Sequence, residues 1–119
     1  MEKEDIEKFK RILLKMKRDH IKERKTLEEE YLRQSTRNQA ANLSAYPLHT
    51  ADISGDIYEQ EKEIAVIENI SEIMHKIDEA LHRIDTGKYG ICEKCGKEIP
   101  KTRLEIIPFT KFCISCSRK

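Results

Sequence analysis

The chain has 119 residues, of which 38% are hydrophobic and 38% are charged, and its formal net charge is +1. This length is sufficient for one domain, but so small a share of apolar residues can form only a limited globular core. The composition therefore favours an elongated helical protein. The first residues alternate acids and bases without the apolar core of a signal peptide, and no stretch reaches the roughly 20 apolar residues of a membrane span. We therefore predict a cytoplasmic protein that makes no membrane contact.

Charge is distributed unevenly along the chain. Residues 44–87 contain 3 Lys/Arg and 10 Asp/Glu, which gives a net charge of −7. Residues 88–119 contain 8 Lys/Arg and 3 Asp/Glu, which gives +5. The middle of the chain is therefore acidic and its end is basic, although the mean net charge is close to zero.

The first predicted element is a helix over about residues 3–38. Its apolar positions Ile6, Phe9, Leu13 and Met16 follow the alternating spacing of three and four residues that is typical of a coiled-coil seam. Such a helix has one apolar stripe, and it must bury that stripe against a partner.

A second helix is predicted over about residues 56–86. Its apolar residues recur at spacings of seven, three and four; they are Ile57, Ile64, Ile67, Ile70, Met74, Ile77, Leu81 and Ile84. Asp56, followed three residues later by Glu59, has the form of a capping box at the start of this helix. Gly87 can cap its end, because glycine readily adopts the left-handed conformation found after many helices.

The segment between the two helices, residues 43–55, is predicted to be the tip loop of a hairpin. Tyr46-Pro47 supports a break here, because proline drives the preceding residue out of helical geometry. The simplest partner for each apolar stripe is then the other helix, folded back antiparallel, so that residues 1–87 form a coiled-coil hairpin. The alternative is that the stripes pair between two chains in a structural coiled-coil dimer.

The last segment, residues 88–119, carries four cysteines in a metal-binding pattern. Cys92, Cys95, Cys113 and Cys116 form two C-x2-C pairs separated by seventeen residues. Two residues between thiolates let each pair form a tight knuckle, and the loop is long enough to bring both pairs around one zinc ion; reduced thiols and an iron cluster are the alternatives. Four thiolates leave no open coordination position, so we predict one structural Zn²⁺ and no enzymatic activity.

Together these elements predict a mainly α fold, with a long antiparallel coiled-coil helical hairpin followed by a small C-terminal zinc finger with four cysteine ligands. The finger sequence YGICEKCGKEIPKTRLEIIPFTKFCISC, residues 89–116, resembles that of the DksA/TraR family of bacterial transcription regulators, and the whole chain is similar to the short Gram-positive members. The resemblance rests on the aromatic-Gly-x-Cys start, the Arg103-Leu104-Glu105 element, Pro108 and both cysteine pairs. It implies a protein that inserts its hairpin tip into the secondary channel of RNA polymerase and modulates initiation.

The family carries an Asp-x-x-Asp-x-Ala motif at the hairpin tip. Counted back from Cys92, its three positions fall on His49, Asp52 and Ser54 of this chain, so only the second aspartate matches. The resemblance therefore implies Asp52 as the effector, and we group Asp52, Ser54 and Asp56 as the predicted tip residues. For Asp52 the alternative role is turn formation, because Asp is common in turns, and for Asp56 it is capping of the second helix.

The basic end of the chain supports a second interpretation, a zinc-finger module that binds nucleic acid. Phosphates would then be contacted by Lys101, Arg103, Lys111, Arg118 and Lys119. No helix follows the finger to enter a groove, so we expect no sequence-specific DNA binding. In the family, a helix after the last cysteine often contributes to binding of the alarmone ppGpp; this sequence stops three residues after that cysteine, and ppGpp is left open as a ligand.

Overall fold

The computed structural model describes the backbone of residues 1–44 and 50–118, and the side chains of residues 1–34 and 57–118. Four helices follow one another: α1, Lys3–Ser44; α2, Thr50–Asp85; α3, Lys101–Ile106; and α4, Ile114–Ser117. No strand forms in the described residues, where one isolated antiparallel bridge joins Ile91 to Glu98. The predicted fold class is confirmed, because the chain is mainly helical with a long first helix and a four-cysteine C-terminal region. None of the helices, over the residues described, is long and apolar enough to cross a membrane.

Both long helices extend further along the sequence than predicted. α1 ends at Ser44, six residues later than expected, and α2 begins at Thr50, six residues earlier. The predicted capping role of Asp56 is therefore wrong, because this residue lies inside α2 rather than at its start. Residues 50–55 contain no proline, and their single glycine, Gly55, destabilises a helix by only about 1 kcal/mol. Of the predicted tip loop, residues 45–49 lie outside the described part of the chain.

The end of α2 is closed by glycine, as predicted. Gly87 has a φ of +76°, a left-handed conformation that carries no steric cost for a residue without Cβ. Its N–H donates to the Ile84 carbonyl at 3.2 Å, and the Lys88 N–H donates to the Arg83 carbonyl at 2.8 Å. These two bonds satisfy carbonyls that the last helical turn leaves open, and they direct the chain into the finger.

The chain divides into two compact units, each of which contains part of both long helices. Unit 1 comprises residues 1–19 and 73–119. Its core combines side chains of α1, α2 and the finger; they are Phe9, Leu13, Ile77, Ala80, Tyr89, Cys92, Ile99 and Leu104. An ion pair between Lys17 Nζ and Asp78 Oδ1, 2.7 Å long, joins the two helices beside this core. In unit 1 the finger therefore acts as a third layer against which both helices pack.

Unit 2 comprises residues 20–72. In its described side chains, those of residues 20–34 and 57–72, only Ile70 is buried. Large hydrophobic side chains of this unit are exposed; they are Ile21, Leu32, Ile57, Tyr58, Ile64 and Val66. The described part of unit 2 therefore has a much smaller core than unit 1. The predicted division of the chain at residue 87 stays a prediction.

Candidate metal centre

The four predicted metal ligands come together in unit 1. The Sγ atoms of Cys92, Cys95, Cys113 and Cys116 all lie within 4.8 Å of one another. The sulfurs of Cys95 and Cys113 are 3.7 Å apart. Four sulfurs bound to one zinc ion at about 2.3 Å would be about 3.8 Å apart at the corners of a tetrahedron. The donor set and its spacing therefore fit one Zn²⁺.

The first cysteine pair is held by a tight backbone turn. The Gly96 N–H donates to the Cys92 carbonyl at 2.9 Å, and the Cys92 N–H donates to the Lys97 carbonyl at 2.9 Å. Gly96 has a φ of +74°, while an added Cβ would meet no atom within 4 Å. The backbone angle, rather than lack of space, is therefore the reason for glycine at this position.

The second cysteine pair is placed by α4 and by the loop that precedes it. Cys113 lies directly before α4. The Phe112 carbonyl accepts a hydrogen bond from Arg103 Nε at 3.0 Å, which ties this loop to α3. The Glu93 N–H donates to the Lys111 carbonyl at 2.9 Å. This last bond holds the segments that carry the two pairs together.

The four thiols are not electrostatically equivalent. Burial raises the pKa of the Cys92 thiol, but hydrogen bonds from the backbone of Cys95, Cys113 and Lys94 outweigh burial and lower that pKa to about 6. Hydrogen bonds from the backbone and side chain of Cys116 lower the pKa of Cys113. Side-chain hydrogen bonds with Cys113 and Cys92 in turn raise the pKa of Cys116 to about 12. Each pair thus contains one thiol with a lowered pKa, which makes the thiolate, the form in which cysteine binds zinc, easier to form.

Arg83 of α2 holds the loop that leads to the second pair. Its guanidinium is buried, and Nη2 donates to the carbonyls of Phe109 at 3.3 Å and Thr110 at 3.4 Å. The Glu93 carboxylate lies 3.9 Å from Nη1. A buried cation requires partners of this kind because removing a charge from water is costly. Sequence reasoning missed Arg83, since its partners are backbone carbonyls 26 and 27 residues away and no pattern of residue types marks them.

Tyr89 fixes the start of the finger. Its hydroxyl donates to the Pro108 carbonyl at 2.8 Å, and its ring centroid lies 5.9 Å from that of Phe9. Burial raises the pKa of the Tyr89 phenol above its usual value, and the positive charge of Arg83 opposes this only in part. The hydroxyl therefore stays protonated at neutral pH and keeps its role as donor. In the sequence, Tyr89 was visible only as the aromatic residue that precedes the first cysteine pair.

The predicted tip residues have side chains outside the described residues. The backbone of Asp52, Ser54 and Asp56 belongs to the first two turns of α2. Their effector role stays a prediction.

The basic residues named by the nucleic-acid interpretation are partly engaged within unit 1. Lys101 Nζ lies 2.6 Å from the Asp5 carboxylate, and the hydrogen bond and charge of Asp5 raise the pKa of this lysine. Arg103 donates to a backbone carbonyl of the finger. Lys119 lies outside the described part of the chain. These contacts leave fewer of the five cations available for phosphates.

Comparison with known proteins assigns the finger to a family. The family model described as "Prokaryotic dksA/traR C4-type zinc finger" matches residues 87–119. An uncharacterised protein of Aquifex aeolicus (strain VF5) is 35% identical over 115 residues, which cover 92% of this chain and 77% of that protein. Together with the thiol geometry, the family match confirms the prediction of one zinc ion held by four cysteines.

Two solved structures share the fold of nearly the whole chain. Transcription factor DksA2 from Pseudomonas aeruginosa has a TM-score of 0.65, covers 99% of this chain and 84% of its own, and is 24% identical. The RNA polymerase binding protein and transcriptional regulator Dks from Chlamydia trachomatis L2 has a TM-score of 0.53, covers 99% and 88%, and is also 24% identical. At this level of identity the likeness establishes the fold.

Proposed function

Because the chain belongs to the DksA/TraR C4 zinc-finger family, we propose that it is a transcription regulator that binds bacterial RNA polymerase. The observation that carries the proposal is that the likeness to the two solved structures covers 99% of the chain and so includes both long helices as well as the finger. One of those proteins is named for binding RNA polymerase, and the other is named as a transcription factor. A match to the finger alone would support only the metal site.

In this proposal the helical hairpin enters the secondary channel of the polymerase and its tip modulates initiation. Asp52 is the proposed effector, because it is the one aspartate that matches the tip motif of the family, and Ser54 and Asp56 lie close to it in sequence. A carboxylate near the catalytic magnesium can act on initiation because Mg²⁺ prefers oxygen ligands and is sensitive to nearby negative charge.

The finger has a structural rather than a catalytic role in this proposal. Zinc supplies folding free energy when bound, and four thiolate ligands leave no coordination position for water or substrate. Arg83 and Tyr89 connect the finger to the loop that precedes the second cysteine pair, and the shared core connects it to both helices. The finger would therefore serve as the firm base of the helical arm.

Binding of the zinc-loaded chain to core bacterial RNA polymerase tests the proposal directly. We expect saturable binding of the wild-type chain and an altered yield of initiated transcripts in the same samples. Asp52→Asn should bind with nearly unchanged affinity but lose the effect on initiation. The matched variant Glu59→Gln removes the same charge at an exposed position of the same helix, outside the predicted tip residues, and it should keep the effect.

Three results would count against parts of this proposal. A wild-type chain with no saturable binding to polymerase would overturn it. Binding to DNA that weakens steeply with rising salt would support the nucleic-acid module instead. Asp52→Asn could instead lose affinity for polymerase and the effect on initiation in equal measure. Polymerase binding and modulation of initiation would then not be separate functions of the helical hairpin and its tip.

A further inference from the structure

Two lysine side chains meet one aromatic ring beside the metal centre. The Nζ atom of Lys94 lies 5.0 Å from the centroid of the Phe112 ring, and that of Lys111 lies 5.3 Å from it. An ammonium group over a ring at this distance is attracted by the negative face of the π system. The two ammonium groups are therefore at most about 10 Å apart, which is one Debye length at about 0.1 M salt.

Backbone hydrogen bonds hold the ring and both lysines in place. The Phe112 carbonyl accepts a hydrogen bond from Arg103 Nε at 3.0 Å. The Lys111 carbonyl accepts one from the N–H of Glu93, the residue before Lys94, at 2.9 Å. The fold of the finger thus brings the two lysines to the same ring, although they are far apart in sequence.

The contact lies at one edge of the four-sulfur cluster. Lys94 directly precedes Cys95, and Phe112 directly precedes Cys113. The sulfurs of these two cysteines are 3.7 Å apart, so the lysine and the ring flank the edge that they form. Cys95 is exposed, whereas Cys92 is buried. The flanked edge is therefore open to solvent and to reagents dissolved in it.

Neither lysine forms an ion pair with another described residue. In that part of the chain, no carboxylate oxygen lies within 4.0 Å of Lys94 Nζ or Lys111 Nζ. Two ammonium groups gathered around one ring repel each other, so such an arrangement is favoured by negative charge nearby. Thiolates around zinc supply that charge, because four negative sulfurs outweigh the two positive charges of the ion.

Two carboxylates border the cleft that contains Lys111, and both have basic neighbours of their own. They belong to Glu79 and Glu93. The Glu93 carboxylate lies 3.9 Å from the Arg83 guanidinium, and the Glu79 carboxylate lies 3.0 Å from His75 Nε2. The thiolates therefore remain as the negative charge that the two ammonium groups can balance.

We propose that Lys94 and Lys111, held over Phe112, balance the charge of the zinc-bound thiolates and so protect the exposed edge of the metal centre from electrophiles and from loss of zinc. Attack by a neutral electrophile converts a negative thiolate into a neutral thioether. The favourable interaction between that thiolate and the lysines is then lost as the reaction proceeds, which raises its barrier. This inference depends on the bound zinc and not on the proposed function.

Alkylation of the full-length, zinc-loaded chain measures this protection. A thiolate sulfur displaces iodide from iodoacetamide and forms a carbon–sulfur bond, and a metallochromic dye detects the zinc that is released. The double variant Lys94→Met/Lys111→Met removes both charges but keeps long side chains. We expect it to release zinc about five to ten times faster than the wild-type chain, and its zinc dissociation constant to rise about tenfold.

Iodoacetate distinguishes an effect of charge from a loosened finger. This reagent reacts at the same sulfur but is negatively charged, so the lysines attract it while they make the thiolates less reactive. Loss of the lysines should therefore raise the rate with iodoacetate much less than the rate with iodoacetamide. The difference should shrink at 1 M salt, where the Debye length is only about 3 Å. A finger that had merely loosened would react faster with both reagents to the same extent.

The matched control is the double variant Lys97→Met/Arg118→Met. Both residues are exposed and lie two positions from a cysteine, as Lys111 does, but neither forms a cation–π contact in the described residues. This control should change the rate of zinc release by less than about twofold, because charges that move freely in solvent are well screened. A second variant, Lys94→Arg/Lys111→Arg, keeps both charges and should release zinc at the wild-type rate, since arginine also stacks on aromatic rings.

Four results would overturn the proposal. The first is a Lys→Met double variant that releases zinc at the wild-type rate, and the second is equal acceleration by the matched control. The third is a Lys→Arg double variant that releases zinc as fast as the Lys→Met one, because charge would then not be the cause. The fourth is equal acceleration with iodoacetamide and iodoacetate. Polymerase binding is measured separately, and its outcome does not bear on this proposal.

Discussion

Residues 57–72 and 73–85 belong to the same helix, yet they bury different amounts of apolar surface. Both segments carry isoleucines at coiled-coil spacing, but unit 1 buries Ile77 within a core of eight residues, whereas Ile70 is the sole buried residue in the described part of unit 2. The difference is the finger, whose Leu104 and neighbours provide unit 1 with a third layer. A periodic pattern shows which side of a helix is apolar, but the depth of burial depends on elements from elsewhere in the chain.

The two units also differ in whether their buried polar side chains have hydrogen-bond partners. In unit 1 the Arg83 guanidinium is buried and donates to two backbone carbonyls. In unit 2 the Oε2 atom of Glu63 is buried and has no hydrogen-bond partner among the described residues. A buried oxygen without a partner costs about 1–3 kcal/mol, so unit 2 carries a penalty that the described residues of unit 1 avoid.

Removal of zinc should abolish the difference in apolar burial between the two units. This is the largest effect that we expect. Zinc binding at four-cysteine sites supplies on the order of 10 kcal/mol of folding free energy, so the finger should unfold when a chelator removes the ion. Unit 1 would then lose its third layer. Hydrogen exchange at the amides of residues 73–85 should accelerate toward the faster rate that we expect for residues 57–72, and thermal stability should fall.

Two variants control the zinc experiment. Cys95→Ser removes one thiol and should reproduce the effect of the chelator, whereas Ser115→Ala, between the cysteines of the second pair, should not. Re-addition of Zn²⁺ should restore slow exchange in the wild-type chain. An apo chain with unchanged melting temperature, or with full protection of residues 73–85, would contradict a structural role for the metal.

The sequence was sufficient to predict the fold class and the metal site, because both are encoded by local spacing. The seam from Ile6 to Met16 repeats every three or four residues, and the two C-x2-C pairs specify a tetrahedral thiolate site. The helix ends were predicted less well. Asp56 and Glu59 have the form of a capping box, but the same pair can occur inside a helix, and only the backbone shows that α2 begins at Thr50.

Contacts with backbone atoms that are remote in sequence could not be predicted from the sequence. Arg83 looks like one more charge beside an apolar seam, and its partners are carbonyls, which every residue possesses. Glu63 presents the same difficulty, because its buried atom lies in a segment whose other glutamates are exposed. A pattern of residue types gives the chemistry of a side chain but not its distance from main-chain atoms that are remote in sequence.

Arg83→Met should produce the second largest effect, since it removes the hydrogen-bond donors but keeps most of the apolar side chain. The carbonyls of Phe109 and Thr110 would lose their donor, and we expect the free energy of unfolding to fall by about 2 kcal/mol. Urea denaturation of the zinc-loaded protein measures this change. Lys76→Met is the matched control, because Lys76 is exposed on the same helix, and it should change stability by less than about 0.5 kcal/mol. Equal stability of both variants would mean that the buried guanidinium does not hold the loop.

Glu63→Leu should have the smallest effect and the opposite sign. The change removes the buried oxygen that lacks a partner and adds an apolar side chain in a unit with little core, so we expect unfolding of unit 2 to cost about 1 kcal/mol more. Hydrogen exchange at the amides of residues 57–72 should slow about fivefold, while exchange in residues 73–85 stays the same. Glu59→Leu, at an exposed position of the same helix, should not slow exchange. Destabilisation by Glu63→Leu would instead mean that the carboxylate contributes a favourable interaction to unit 2, and the contrast between its buried polar group and that of unit 1 would disappear.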